Sequence, residues 1–301
     1  MKSKKGISDR FAFRVANQLF QGEITSFRGI GGTLNRFWQG EVNEDSFVLR
    51  CSHEQRSEQS LRLELELLDL LSLKGEHVPR PFFINGSFMY MKKVNHLWTA
   101  FHYIKTIPIK RFSPSDLFST GRLLRQIHET SSMLPHKYAR PNKWMIHELS
   151  KQWHFNRLNS TKEVKQIGDK LLLPTLRFLE HQLQRKKDSV ICHNDVHPAN
   201  MFRVNHSIGL LDFDDCIWST ALLDIITAAV SICLLGIPKM SIEYIYQAIL
   251  NGYKRTIAVQ KKYILYLLFL RYTFFYSDTP YELRQILSFR FLTIISELKK
   301  L

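Results

Sequence analysis

Between residues 190 and 215 the chain sets out, in a fixed order, the residue types that phosphate chemistry uses. A short apolar run, Val190-Ile191-Cys192, ends at His193; Asp195 lies two positions further on and Asn200 five beyond that, in the Pro-broken stretch 194–200. Residues 201–204, the turn 205–207 and residues 208–211 read as a β-hairpin. A hairpin returns its far end to its start, so Asp212-Phe213-Asp214-Asp215 comes back beside the first loop. Asn200 and Asp212 then offer hard oxygen ligands suited to Mg²⁺. Asp195 can accept or orient the proton of an attacking hydroxyl, which completes the set of parts used in phosphoryl transfer. The competing reading is a polar hairpin whose Asp and Asn residues cap turns. That reading suffices for any one of them and poorly for the ordered whole.

The rest of the chain must hold those loops. Residues 9–20 suit a short amphipathic helix, and 24–30, 36–39 and 47–50 suit strands, the last two joined by a turn over 40–46. Gly31 and Gly32 fall between the first two strands, as a phosphate-covering loop would or as an ordinary turn would. Residues 56–73, rich in Leu and Glu, read as a helix with Leu61, Leu65 and Leu68 on one stripe, stopped by Val78-Pro79-Arg80-Pro81. Strands follow at 82–84 and 88–91 around Asn85-Gly86, then at 97–104. Past Pro108 helices dominate: one starts at Ser113-Pro114-Ser115-Asp116 and runs to Ser131, with His128 as a hydrogen-bonded structural residue. Others cover 171–187, 222–238, 241–256, 261–277 and 280–300. Asp224 at the head of one apolar helix needs partners to satisfy its charge.

These motifs closely resemble the signature of the aminoglycoside phosphotransferase and choline kinase-like family. The His-Gly-Asp…Asn motif stands as His193-Asn194-Asp195…Asn200, with Asn194 in the glycine's place, and Asp-Phe-Asp-Asp is intact at 212–215. Phe47-Val48-Leu49-Arg50 is similar to the arginine-bearing strand of the homoserine kinase type II-like and spore-coat kinase-like members, and Val78-Pro79-Arg80-Pro81 and the turn Asn251-Gly252-Tyr253 match family features. The resemblance implies an α+β, bilobal protein kinase-like fold. A five-stranded antiparallel N-lobe sheet with one helix would occupy 1–104, and a mainly helical C-lobe with the catalytic and metal-binding loops would occupy 105–301. It implies Asp195 as catalytic base, Asn200 and Asp212 as Mg²⁺ ligands, and Arg50, Glu64, Gly31, Gly32 and the hinge near Tyr103 as ATP-binding. Glu64 is preferred over Glu66 as the partner of Arg50. His193, Asp214 and Asp224 would support the loops from behind. The implied enzyme is an ATP- and Mg²⁺-dependent small-molecule kinase phosphorylating a hydroxyl or amine.

Composition narrows the alternatives. The chain has 301 residues, 45% hydrophobic and 12% aromatic, as a packed globular protein does. The basic start, residues 1–6, is followed by no apolar run, against a secretory leader. The most apolar segments fall short of a membrane span of about 20 residues. Four cysteines, at 51, 192, 216 and 233, lack paired spacing and fit reduced thiols in a cytoplasmic protein. Net charge is +15, and residues 105–190 carry 17 Lys and Arg against 7 Asp and Glu. The charges are dispersed and no nucleic-acid-binding motif accompanies them, which favours a solvated surface over a nucleic-acid interface. Residues 132–160, with Trp144, His147, Trp153 and His154, would border the acceptor cleft. That basic character argues against a polycationic aminoglycoside and for a neutral, zwitterionic or anionic acceptor such as homoserine. Choline would need an aromatic cage, for which Trp144, Trp153 and Trp218 are the candidates. The remaining rivals are a catalytically weak, spore-coat-like nucleotide binder and a nucleic-acid-binding protein.

Overall fold

The computed structural model describes residues 7–32, 34–134, 162, 165–166, 189–235, 240–254, 264–265, 267–268, 271–272 and 281–300. The expected helix 171–187, the cleft-bordering segment with Trp144, His147, Trp153 and His154, and parts of the helices expected over 222–238, 241–256 and 261–277 lie outside the described residues. The chain divides into two compact units, Met1–Lys105 and Thr106–Leu301.

The first unit is built on α1 (Asp9–Phe20), β1 (Ile24–Gly31), β2 (Arg36–Val42), β3 (Asp45–Cys51), α2 (Glu58–Leu73), β4 (Phe83–Ile84), β5 (Ser87–Phe88), β6 (Tyr90–Lys93) and β7 (His96–His102). A five-stranded antiparallel sheet runs in the order β1-β2-β3-β7-β6. Ser8 caps α1, and Asp9 accepts the indole N–H of Trp38 at 2.8 Å, which pins the helix to the sheet. Ala12, Val15 and Ala16 then pack on Trp38, Phe47 and Trp98 in one buried cluster. Fully burying a side chain the size of Val15 or Phe47 stabilises by about 2 kcal/mol. Ser57 caps α2, whose buried leucines extend past the expected stripe to Leu61, Leu63, Leu65, Leu67, Leu68 and Leu71.

Turn chemistry moved several expected boundaries. The connection expected over 40–46 is a two-residue turn at Asn43-Glu44, with φ of 50° and 70°, so both flanking strands lengthen. The Asn85-Gly86 turn joins only β4 and β5, a separate two-stranded ribbon. The sheet strand there is β6, which reaches β7 through a turn at Val94-Asn95 that had no glycine to announce it.

The second unit contains β8 (Ile107–Pro108), α3 (Pro114–Ser131), β9 (Ser189–Cys192), β10 (Met201–Val204), β11 (Ser207–Leu210), β12 (Ile217–Thr220), α4 (Ala221–Leu235), α5 (Ile242–Tyr253) and α6 (Tyr281–Lys300). β10 and β11 form the expected hairpin, and β8 adds to its outer edge. β12 pairs antiparallel with β9, a strand whose short run ahead of Asp224 did not stand out. Gly252, in the Asn251-Gly252-Tyr253 feature, sits in the last turn of α5, within the helix expected over 241–256. The reason is packing: a Cβ on Gly252 would lie 1.9 Å from the Phe118 carbonyl oxygen, and one on Gly121 1.9 Å from that of Ile249. Two glycines thus let α3 and α5 cross backbone to backbone.

Candidate active site

In the second unit β9 delivers His193, and the chain turns sharply there because Asn194 takes φ 69°. Asparagine tolerates this left-handed conformation better than other side-chain-bearing residues, which explains how it stands where glycine is usual. The main-chain N–H groups of His193 and Asn194 donate to the two oxygens of Asp224, at 2.7 and 2.8 Å. Asp224 is fully buried, and its Oδ2 also meets Nε2 of His128 at 3.0 Å, while Nδ1 of His128 meets the hydroxyl of Tyr253 at 3.0 Å. Ligand atoms of His128, Cys192 and Asp224 fall within 4.8 Å of one another. With Asp224 already accepting two amides, this cluster is a brace for the loop and not a cation site.

The His193 ring continues the brace. Its Nδ1 accepts the amide N–H of Asp195 at 3.2 Å and its Nε2 donates to the Leu211 carbonyl at 2.9 Å, which defines a neutral tautomer. Burial pushes its pKa down, with Asp224 and Asp195 opposing. Phe213 packs edge-on against the ring, 4.5 Å between centroids.

Asp195 follows with both carboxylate oxygens engaged. Oδ1 lies 2.5 Å from NH1 of Arg271; Oδ2 accepts from Nδ2 of Asn200 at 3.1 Å and lies 3.3 Å from Nε2 of His197. Burial would raise its pKa, but the Arg271 guanidinium and the hydrogen bond from His197 hold it well below the usual carboxylate range. The Asn200 amide nitrogen also donates to the Asp195 carbonyl at 3.0 Å, which turns the amide oxygen to the opposite side. Asn200 ends a 3-10 turn, Pro198–Asn200, and its carbonyl accepts from Leu211 N–H at 2.8 Å. The start and end of the hairpin are thereby tied together, with Asp212 next in line at φ 60°. Asp214 is buried in the following 3-10 turn, Phe213–Asp215. Asn200 and Asp212 thus provide an amide oxygen and a carboxylate at adjoining ends of one hairpin, the hard donors that Mg²⁺ takes.

In the first unit Arg50, on β3, makes a two-pronged contact with Glu64 on α2, at 2.7 and 2.6 Å. Its guanidinium carbon sits 4.9 Å from the centre of the Phe101 ring. Glu64 is 1% exposed and receives a second guanidinium, NH2 of Arg56, at 2.6 Å, whereas Glu66 is only half-buried. Gly31 and Gly32 have φ of 98° and 123°, and a Cβ on Gly32 would lie 2.1 Å from the Asn35 carbonyl oxygen. Only glycine fits that turn. The strand expected to reach 104 ends at His102, and the Tyr103 amide donates to the Ser46 carbonyl at 3.0 Å. That amide is therefore already committed, which limits the expected role of Tyr103 toward a nucleotide to its carbonyl and its neighbours.

Three residues of these clusters were not singled out as functional from sequence. Arg271 was visible as a charge inside an apolar run, and its partner was not. His197 lies inside the catalytic motif itself. Arg56 immediately precedes the cap of α2, eight positions from Glu64, too far apart for periodicity to connect them. Of the candidate cage residues only Trp218, on β12, is described.

A family model described as the phosphotransferase enzyme family matches residues 26–255. No curated protein sequence matches significantly. Solved structures do. The amicoumacin kinase hAmiN, in complex with AMP-PNP, Ca²⁺ and Ami, has a TM-score of 0.74 at 17% identity, covering 97% of this chain and 94% of its own. The microcompartment-associated aminopropanol kinase gives 0.68 at 16%, covering 96% and 97%. Spectinomycin phosphotransferase APH(9)-Ia, with ADP and spectinomycin, gives 0.65 at 16%, covering 96% and 94%. At these identities the likeness establishes the fold: an antiparallel N-terminal sheet followed by a helical C-terminal part.

Proposed function

Since this chain belongs to the phosphotransferase enzyme family, we propose that it is an ATP- and Mg²⁺-dependent kinase that phosphorylates the hydroxyl of a small molecule, with a homoserine-like amino alcohol as the first acceptor to try. The observation that carries the reading is the loop around Asp195. Its carboxylate is held ionised and oriented by Arg271, with Asn200 and His197 on the other oxygen, and the main-chain N–H groups of His193 and Asn194 just before it are anchored by Asp224.

In this reading Asp195 accepts the hydrogen bond of the acceptor hydroxyl and aims its oxygen at the γ-phosphorus. The new P–O bond forms as the bond from phosphorus to the β,γ-bridging oxygen breaks, ADP departs, and the hydroxyl proton passes to Asp195. A carboxylate with so low a pKa is a weak base, so its contribution is chiefly orientation; the proton moves late, when the oxygen has become acidic. Asn200 and Asp212 would hold the metal, which supplies charge neutralisation between the phosphates. In the first unit Gly31, Gly32 and Arg50, the last steadied by Glu64, are the candidates for the nucleotide phosphates. The fork to Glu64 fixes the direction of the Arg50 guanidinium on its strand.

The test is a phosphate-transfer screen with labelled ATP across small alcohols, followed by Asp195→Asn on any acceptor found. A loss of kcat of about 10²-fold or more with an unchanged fold is expected. Transfer that persists in the variant would remove Asp195 from this role. A second reading, a nucleotide-binding pseudokinase of structural function, draws on the engagement of both Asp195 oxygens and on the burial of Arg50 against Glu64. Saturable ATP binding with no turnover across the whole screen would favour it.

A further inference from the structure

Arg271 is a charge set among fully buried apolar neighbours, Leu267, Leu268 and Tyr272. Its side chain is 7% exposed. One nitrogen bonds Oδ1 of Asp195 and the other the carbonyl of Asn194, so the guanidinium spans the turn and the carboxylate together. Moving a guanidinium out of water costs several kcal/mol, and a charge kept there at that cost is matched to its partner. The match has an electrostatic consequence. A bare carboxylate attracts a nearby ammonium group, and a guanidinium bonded to that carboxylate repels the same group. With Arg271 in contact with Asp195, that repulsion offsets much of the attraction a bare carboxylate would exert.

Resting on the reading of Asp195 as the residue that orients the acceptor, we propose that Arg271 determines specificity: by neutralising Asp195 from its buried side, it makes the acceptor subsite one for neutral, zwitterionic or anionic alcohols and disfavours cationic ones. Lysine could keep the charge but could not bridge carboxylate and carbonyl in the same plane. Charge and fork are therefore separable by substitution.

Three acceptors of matched shape test this: 1-amino-2-propanol, propane-1,2-diol and lactate, which share a secondary alcohol and differ in carrying a cation, a neutral group or an anion. The wild type is expected to prefer lactate and the diol in kcat/KM. In Arg271→Gln the ratio of the cationic to the anionic acceptor should rise at least tenfold. Arg271→Lys should keep the wild-type ratio while losing kcat, because the charge remains and the fork does not. Ratios of kcat/KM do not depend on the fraction of folded enzyme, so partial misfolding leaves the comparison intact. A ratio unchanged within twofold in Arg271→Gln overturns the inference, as does a wild-type preference for the cation. Binding of the same compounds in the presence of AMP-PNP and Mg²⁺ supplies the comparison independently of turnover. Binding that shows the charge preference, with no transfer to any acceptor, would overturn the proposed kinase activity and leave the inference standing. Failure of all three to bind would overturn the inference.

Discussion

Glu64 accepts from two buried guanidinium groups at once, Arg50 on the strand before it and Arg56 ahead of its own helix. Removing one partner of a buried ionic cluster leaves uncompensated charge, which is the costly direction. Glu64→Gln should therefore destabilise by about 3 kcal/mol, because two cations would face a neutral amide. Glu66→Gln, on a half-buried position of the same helix, should cost less than about 1 kcal/mol. Urea denaturation of both variants checks the contrast; equal losses would remove Glu64 as the anchor of Arg50. This residue also shows how far sequence could see. The leucine stripe of α2 left Glu64 and Glu66 nearly equivalent, because periodicity assigns a face and not a partner. The second arginine was hidden altogether, since an irregular turn brings Arg56 back onto the helix. Asn194 is the opposite case: its place in the motif was plain, and only φ explains how it replaces glycine without abolishing the turn.

At the scale of elements, α3 is held at both ends by side chains that sequence showed only in part. At its start Ser113 and Asp116 form a capping box, and Arg203 from β10 grips the same carboxylate at 2.7 and 3.1 Å. Burial alone would raise the pKa of Asp116, but the Arg203 and Ser113 bonds bring it below the ordinary value. The folded state thus binds its proton less readily than the unfolded chain. The stability this group contributes is complete above the unfolded pKa, near 4, and is lost as pH falls through the lower folded value. Arg203→Met should therefore lower the urea midpoint at pH 7, and its difference from wild type should shrink as pH drops below about 4. A difference that stayed constant would mean the interaction is not ionic. Within its first half α3 crosses α5 through Gly121 and Gly252. Gly252→Ala must push the helices apart against backbone, which should cost about 2–3 kcal/mol. The same shift would draw Tyr253 from His128, so activity should fall along with the thermal midpoint; an alanine variant as stable as wild type would refute the close crossing. The Ser-Pro-Ser-Asp start of α3 was readable because capping is local chemistry. The glycine crossing was not, because it depends on the Phe118 and Ile249 carbonyls far away in sequence.

For the whole molecule, fold class and the order of chemistry-bearing residues were legible, since a strand-rich first part and an ordered motif survive one-residue errors in boundaries. Pairings between distant segments were not, and both the role of Arg271 and the strand β12 belong to that kind. Charge is the property where the whole chain matters most. A net +15 draws any polyanion at low salt, and each phosphate neutralised releases a counterion, so such binding weakens steeply as salt rises. A nucleic-acid-binding protein adds base or shape contacts that outlast that screening, and retains affinity at physiological ionic strength. This chain carries its excess dispersed, 17 basic against 7 acidic residues over 105–190, with no recognition motif to go with it. Whatever binding a fluorescent duplex or single-stranded oligonucleotide shows at about 20 mM salt should therefore fall away steeply, to a dissociation constant beyond the micromolar range at about 150 mM. Tight saturable binding that persists at the higher salt, with affinities differing between sequences, would show that the basic segment reads nucleic acid.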